Sequence, residues 1–192
     1  MEDILRGRLV RLSALGADEM SRAYVLWSHD SEYDRLLTGN RVCLNSIKAV
    51  KTWIEKNLEN ETRNEFAFSM RTLEDDRLIG DIALDVLNWS NREAFVGLGI
   101  GEREFWSKGY GTDAMNLMLR YAFVELNLRR VTLTVFEYNP RAIRSYEKAG
   151  FRREGCQRGC IVREGRRWDV LYMGIQREDW RKQKEGLTAS GG

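Results

Sequence analysis

The chain has 192 residues, 43% hydrophobic and 31% charged, a balance that predicts a soluble globular domain with an ample core and excludes a disordered, collagen-like or membrane-spanning chain. Lys and Arg number 31 against 29 Asp and Glu, and a net charge of +2 is too small to argue for direct nucleic-acid binding. The charge is unevenly spread: residues 1–128 carry 16 basic and 21 acidic side chains, net −5, whereas 129–192 carry 15 and 8, net +7.

Alternation over Arg8–Leu12 predicts a first strand, and Asp18–Trp27 a helix with Asp18 as cap and Met20, Ala23, Tyr24 and Trp27 on one face. Asn45 or Ser46 can cap a second helix, along which Ile47, Val50, Trp53, Ile54 and Leu58 keep helical spacing. Glu65–Arg71, Leu78–Leu87 and Ala94–Ile100 read as an antiparallel meander with turns at 74–76 and 89–91. A loop over Gly101–Lys108 precedes a long apolar helix from about Gly109 to Leu126 and a strand at Arg130–Phe136. Pro140–Ala149 is a further helix, with Asn139 as N-cap, Pro140 in its first position and Gly150 as its stop. Phe151–Val162 and Arg167–Ile175 close the pattern as a hairpin. These elements make one α/β domain over 1–180, with 181–192 expected as a flexible tail.

The rare residues restrict the chemistry. The single histidine, His29, lies in a polar stretch that reads as a loop, and one histidine rules out a multi-His metal centre. Cys43, Cys156 and Cys160 are an odd number, so no disulfide framework is expected. Cys156 and Cys160 lack further ligands nearby and read as strand positions, so no metal is expected. The N-terminus has neither the basic nor the apolar segment of a signal peptide, and no apolar run approaches membrane-spanning length. A cytoplasmic location is the expectation.

Five of the 17 glycines fall between Gly97 and Gly111. Gly97 and Gly99 interrupt a strand, which marks a bulge or a close approach by another backbone or a ligand. Lys108-Gly109-Tyr110-Gly111-Thr112 opens a helix, where orphan N–H groups attract phosphate oxygens. Lys108 precedes its glycine, so Walker A does not fit. The run from Gly109 to Ala114 satisfies a dinucleotide pattern formally, with Glu137 as ribose partner. That pattern belongs directly after a strand, whereas Glu102–Lys108 intervenes here.

The order of motifs is more specific than any one of them. Val-Gly-Leu-Gly-Ile, then Trp-Ser-Lys-Gly-Tyr-Gly-Thr-Asp-Ala, Asn-Leu-Arg-Arg-Val-Thr-Leu-Thr-Val and Asn-Pro-Arg-Ala-Ile-Arg-Ser-Tyr-Glu-Lys-Ala-Gly-Phe resemble the GNAT superfamily of acetyl-CoA-dependent N-acetyltransferases. The similarity is closest to its RimJ/RimL branch, named for enzymes that acetylate ribosomal-protein N-termini. It is dense over 94–155 and recognisable over 65–175. The resemblance implies a mixed, mostly antiparallel twisted sheet flanked by helices. It implies that Trp106, Ser107, Lys108, Gly109, Tyr110, Gly111 and Thr112 wrap the pyrophosphate of acetyl-CoA. Leu98, Gly99, Ile100 and Gly101 would line the pantetheine arm, Asn139 would hydrogen-bond it, Ala142 would border it, and Tyr146 would stand beside the thioester sulfur. The superfamily usually has Gln or Arg where this chain has Trp106, and Lys108 is then the expected positive charge.

An amine nucleophile must be neutral to attack, so the reaction needs a proton acceptor, an oxyanion donor and an acid for the departing thiolate. Tyr146 lies seven residues after Asn139, two helical turns along, and fits the acid; the alternative is a core tyrosine packed on the sheet. A backbone N–H from 98–101 would meet the oxyanion. Asp81, Asp85, Glu93 and Glu137 all qualify as the base, as does a water chain. Asp30, Glu32, Asp34, Glu59, Glu61 and Glu65 make the expected acceptor lip acidic. This favours a cationic acceptor, either a basic peptide N-terminus or a polyamine-like amine, without nucleic acid or membrane, with a homodimer left open. A non-catalytic acyl-CoA-binding module and a dinucleotide oxidoreductase are the alternatives.

Overall fold

The computed structural model describes residues 3–59 and 64–189. Seven strands form one sheet: β1 (Val10–Ala14), β2 (Glu65–Thr72), β3 (Leu78–Asn88), β4 (Glu93–Ile100), β5 (Arg130–Phe136), β6 (Arg152–Arg163) and β7 (Arg166–Gln176). Their order is β1-β2-β3-β4-β5-β7-β6, and every neighbouring pair is antiparallel except β4 and β5.

Six helices flank this sheet: α1 (Ala17–Ser28), α2 (Ser31–Leu37), α3 (Ile47–Glu59), α4 (Tyr110–Arg120), α5 (Pro140–Ala149) and α6 (Arg177–Ala189). The main core lies between the sheet and α4 and α5. Met115, Met118 and Leu119 of α4 meet Ile82 and Leu84 of β3 and Val131 and Leu133 of β5, all essentially without exposure. A smaller cluster of Met20, Trp27, Tyr33 and Ile54 joins α1, α2 and α3. The chain continues from α4 into a π-helical turn over Tyr121–Glu125, so the long apolar helix expected from Gly109 to Leu126 is one run with a widened end.

Caps decide which boundaries the sequence revealed. The Asn139 side chain accepts the Ala142 N–H at 3.1 Å, and Gly150 stops α5 at φ 102°. The Ser46 hydroxyl accepts the Ala49 N–H at 3.2 Å ahead of α3. At α1 the expected cap is replaced: Gly16 takes the capping position, and Asp18 instead pairs with Lys51 at 2.6 Å. Helix α2 starts within the polar stretch around His29 that reads as a loop; its Asp30 caps it by accepting the Glu32 N–H at 3.0 Å. Along α3, Ile54 is buried and Val50 half-buried, but Ile47 and Trp53 are exposed, so the expected apolar face is narrower. Residues 181–189, read as tail, continue α6, whose Trp180 packs on Phe123 at 5.4 Å between ring centroids.

The N-terminal strand is tied to α4 by one carboxylate. Asp113 Oδ2 accepts the N–H groups of Arg8, Leu9 and Val10 at 3.0, 2.8 and 3.0 Å. Hydrogen bonds to a charged group contribute about 1.5–3 kcal/mol, so Asp113→Ala is expected to lower the unfolding free energy by about 2–3 kcal/mol in a urea titration. A loss under about 0.5 kcal/mol would mean that strand pairing alone holds this segment.

Candidate active site

Strands β4 and β5 pair only at Glu93–Arg130, Ala94–Val131 and Phe95–Thr132, although β4 runs on to Ile100 and β5 to Phe136. Beyond Phe95 the two strands part, and a cavity of about 320 Å³ opens between them. The opening passes through the sheet. On one side it is walled by α4 and α5, and on the other by Tyr33, Leu36 and Leu37 of α2.

Eleven of the expected ligand residues line this cavity: Leu98, Gly99, Ile100, Trp106, Ser107, Gly109, Gly111, Thr112, Asn139, Ala142 and Tyr146. Three expected ones do not. Gly101 turns toward Trp27, whose ring would lie 1.9 Å from an added Cβ, so it serves close packing behind the site. Tyr110 packs edge-on against Phe105 at 4.9 Å. Lys108 is exposed outside the cavity. The loop before α4 holds Ser107 at φ 61° and Gly109 at φ 96°, and such left-handed turns gather backbone N–H groups into an anion-binding concavity.

Positive charge reaches the cavity from α5. Arg141, Arg144 and Lys148 all line it, and no carboxylate among the described residues lies within ion-pairing distance of them. Sequence reasoning missed them because their relation to the loop is tertiary. The basic C-terminal third of the chain thus delivers its charge to one wall.

Tyr146 is both a core tyrosine and a cavity residue. It is 8% exposed, packs beside Phe151 at 6.1 Å and lines the cleft, while its hydroxyl bonds no described residue. Burial pushes its pKa up to about 12, so the phenol stays protonated at working pH.

The four candidate bases separate clearly. Glu93 pairs with Arg130 at 3.0 Å, Glu137 accepts the Asp169 N–H at 3.1 Å, and Asp85 is exposed. Asp81 differs. Its Oδ1 is enclosed without a hydrogen-bond partner, 3.6 Å from where a Cβ on Gly99 would stand, with the equally unpartnered Tyr33 hydroxyl 3.3 Å from the same point. Burial raises the Asp81 pKa to about 6, against a smaller opposing effect of a hydrogen bond from Tyr24.

A second cavity of about 390 Å³ adjoins the first, since Tyr33 and Leu37 line both. Tyr24, Trp53 and Asp34 are among its walls, and burial raises the Asp34 pKa. The acidic lip is otherwise less free than the sequence suggests. Arg103 donates to Asp30 Oδ1 at 2.7 Å and to Glu32 Oε2 at 2.6 Å, so both charges are neutralised. Glu65 is exposed at the start of β2; Glu61 and the Glu59 side chain lie outside the described residues. His29 sits exposed at the end of α1 and lines neither cavity. Cys43, Cys156 and Cys160 are exposed, and no metal-binding cluster occurs among the described residues.

The family model of the acetyltransferase (GNAT) domain matches residues 10–152. A probable N-acetyltransferase of Bacillus subtilis, YjcK, is 36% identical over 120 residues, covering 62% of this chain and 66% of its own. A putative ribosomal N-acetyltransferase of the same organism, YdaF, is 34% identical over 112 residues, covering 58% and 61%. Among solved structures, spermidine N-acetyltransferase from Vibrio cholerae in complex with CoA and spermine superposes with a TM-score of 0.78 at 25% identity, covering 90% of this chain and 98% of that one.

Proposed function

The chain belongs to the GNAT acetyltransferase family, and on that premise we propose that it moves an acetyl group from acetyl-CoA to a primary amine bearing a second positive charge. The observation that carries this reading is the parting of β4 from β5. It leaves the backbone of Leu98–Ile100 beside a cleft that leads to the cation-rich start of α5 and the concave loop before α4. Acetyl-CoA supplies the thioester whose acetyl group is transferred. An extended amide-bearing chain can pair with the open edge of β4 as an added strand would, and its phosphates suit the loop at Ser107–Thr112.

The amine enters from the side of α2, where the second cavity joins the first. Tyr24, Tyr33 and Trp53 offer aromatic faces and Asp34 a carboxylate there, a combination that favours an ammonium group. Neutralising the nitrogen is the task of Asp81, whose enclosed Oδ1 lies beside the cleft residues Tyr33 and Gly99. Tyr146 gives its phenolic proton to the departing sulfur. The nitrogen sheds two protons between ammonium and amide: one replaces that of Tyr146 and one leaves by Asp81 to solvent.

Discrimination among acceptors tests the charge requirement. Spermidine and a lysine-rich peptide N-terminus are expected to exceed a neutral alkyl amine at least tenfold in kcat/KM, with thiol release as readout. One well-made charge contact is sufficient for such a ratio. Preference for the neutral or an acidic acceptor would overturn the assignment of Asp34 while leaving acetyl transfer itself in place. A dinucleotide reading has little support, because Glu137, its ribose partner, is bonded to Asp169 outside the cleft.

A further inference from the structure

Trp106 carries no charge, so any side-chain charge beside the loop before α4 comes from its neighbours. The indole is fixed: its Nε1–H donates to the Ile100 carbonyl at 2.7 Å, and its ring lines the cavity. Two guanidinium groups lie against that ring, Arg141 at 3.7 Å and Arg103 at 4.9 Å from its centroid. They differ in their partners. Arg103 is held by Asp30 and Glu32, whereas Arg141 has no carboxylate partner among the described residues. Arg141 is half-buried and lines the cavity together with Ser107, Gly109, Gly111 and Thr112 of the concave loop. A half-buried guanidinium on an aromatic shelf, without an ion-pair partner among the described residues and lining one cavity with the loop at a helix start, suits an anion with two or more oxygens.

We propose that Arg141, braced on Trp106, binds the diphosphate of the acetyl donor, so that the Trp–Arg pair does here the work of the single polar side chain usual in the superfamily. Burial lowers the Arg141 pKa; the charge of Glu32, itself held by Arg103, opposes this in part, and the Arg103 charge adds to it. Arg144 and Lys148 are exposed on the same helix and stand farther along the cavity wall. The packing of Arg141 sets it apart from them.

The inference rests on the acetyl-CoA reading, and binding by titration calorimetry separates the two. Wild-type protein, Arg141→Gln, Trp106→Leu and the double variant are each titrated with CoA, dephospho-CoA and pantetheine. Arg141→Gln is expected to weaken CoA and dephospho-CoA about 10- to 100-fold, as loss of a charge-assisted contact does, and to leave pantetheine unchanged. Trp106→Leu should reproduce much of that loss, and the double variant should lose little more, since the two residues act as one unit. An equal loss for pantetheine would mark Arg141 as merely structural. Unchanged CoA affinity would overturn the inference alone, while failure of the wild type to bind CoA would overturn the acetyl-CoA reading beneath it.

Discussion

Tyr146→Phe is expected to lower kcat about 10²- to 10⁴-fold, the contribution general acid catalysis commonly makes, with the KM for acetyl-CoA nearly unchanged. The phenol is enclosed, is held protonated by burial and has no hydrogen bond to any described residue, so the substitution removes a proton donor and little else. Phenylalanine fills the same space beside Phe151, and stability should therefore hold. Thiol release at saturating acetyl-CoA measures the effect. An unchanged kcat would return Tyr146 to the role of a packing residue, and a loss confined to KM would place its hydroxyl on the cofactor rather than in proton transfer.

Asp81→Asn should have the second largest effect, and it has opposite signs in two measurements. As proton acceptor, Asp81 must be ionised, so the wild-type kcat should fall as pH drops through about 6. The variant should lose that limb of the profile and be slower by about 10²-fold or more above it. Stability follows the other direction. The folded pKa, about 6, exceeds the ordinary value of 3.8, so between those pH values the unfolded chain ionises while the native carboxyl keeps its proton. Native stability therefore falls as pH rises from about 4 to 6, by up to about 3 kcal/mol for a shift of this size. Asparagine cannot ionise and avoids that cost. The variant should thus melt higher than the wild type at pH 7–8, with the gap closing toward pH 4. The groups facing Asp81 are Tyr24 from α1 and Tyr33 from α2, with Asp34 farther along α2; its strand partners Ser69 and Gly99 are uncharged. No basic side chain is among them to mask the limb. A variant that is slower yet keeps the wild-type limb would move the base elsewhere.

What the sequence made legible follows from the range of each interaction. Strand β5 and helix α5 were bounded correctly because their signals are local: alternation over seven residues, and an Asn-Pro start with a Gly stop. Helix α2 has only seven residues, too few for a periodic signal, and its Asp30 cap resembles any polar loop residue. The glycine pattern located the cleft but said nothing of Arg141, whose partner Trp106 lies 35 positions earlier in the chain. The acidic lip is less free than its carboxylate count suggests, for the same reason. A count of carboxylates cannot reveal that Arg103, distant in sequence, already satisfies Asp30 and Glu32. Asp81 could not be told from its three rivals until burial and neighbours were known, since all four sit on or beside strands with similar local patterns.

Arg103 has a thermodynamic consequence. It stands on the turn that leads into the loop before α4 and touches Trp106, yet both carboxylates that it holds belong to the start of α2, whose later residues Tyr33 and Leu37 line both cavities. One guanidinium thus latches the turn before α4 to the start of α2. A ligand that tightened this latch from one side would favour binding on the other side by the same factor, because coupling between two binding equilibria is reciprocal. The latch is largely exposed, so dissolved salt screens it far more than it does the enclosed indole bond beneath. Rising ionic strength is therefore expected to loosen this latch while the indole stays in place.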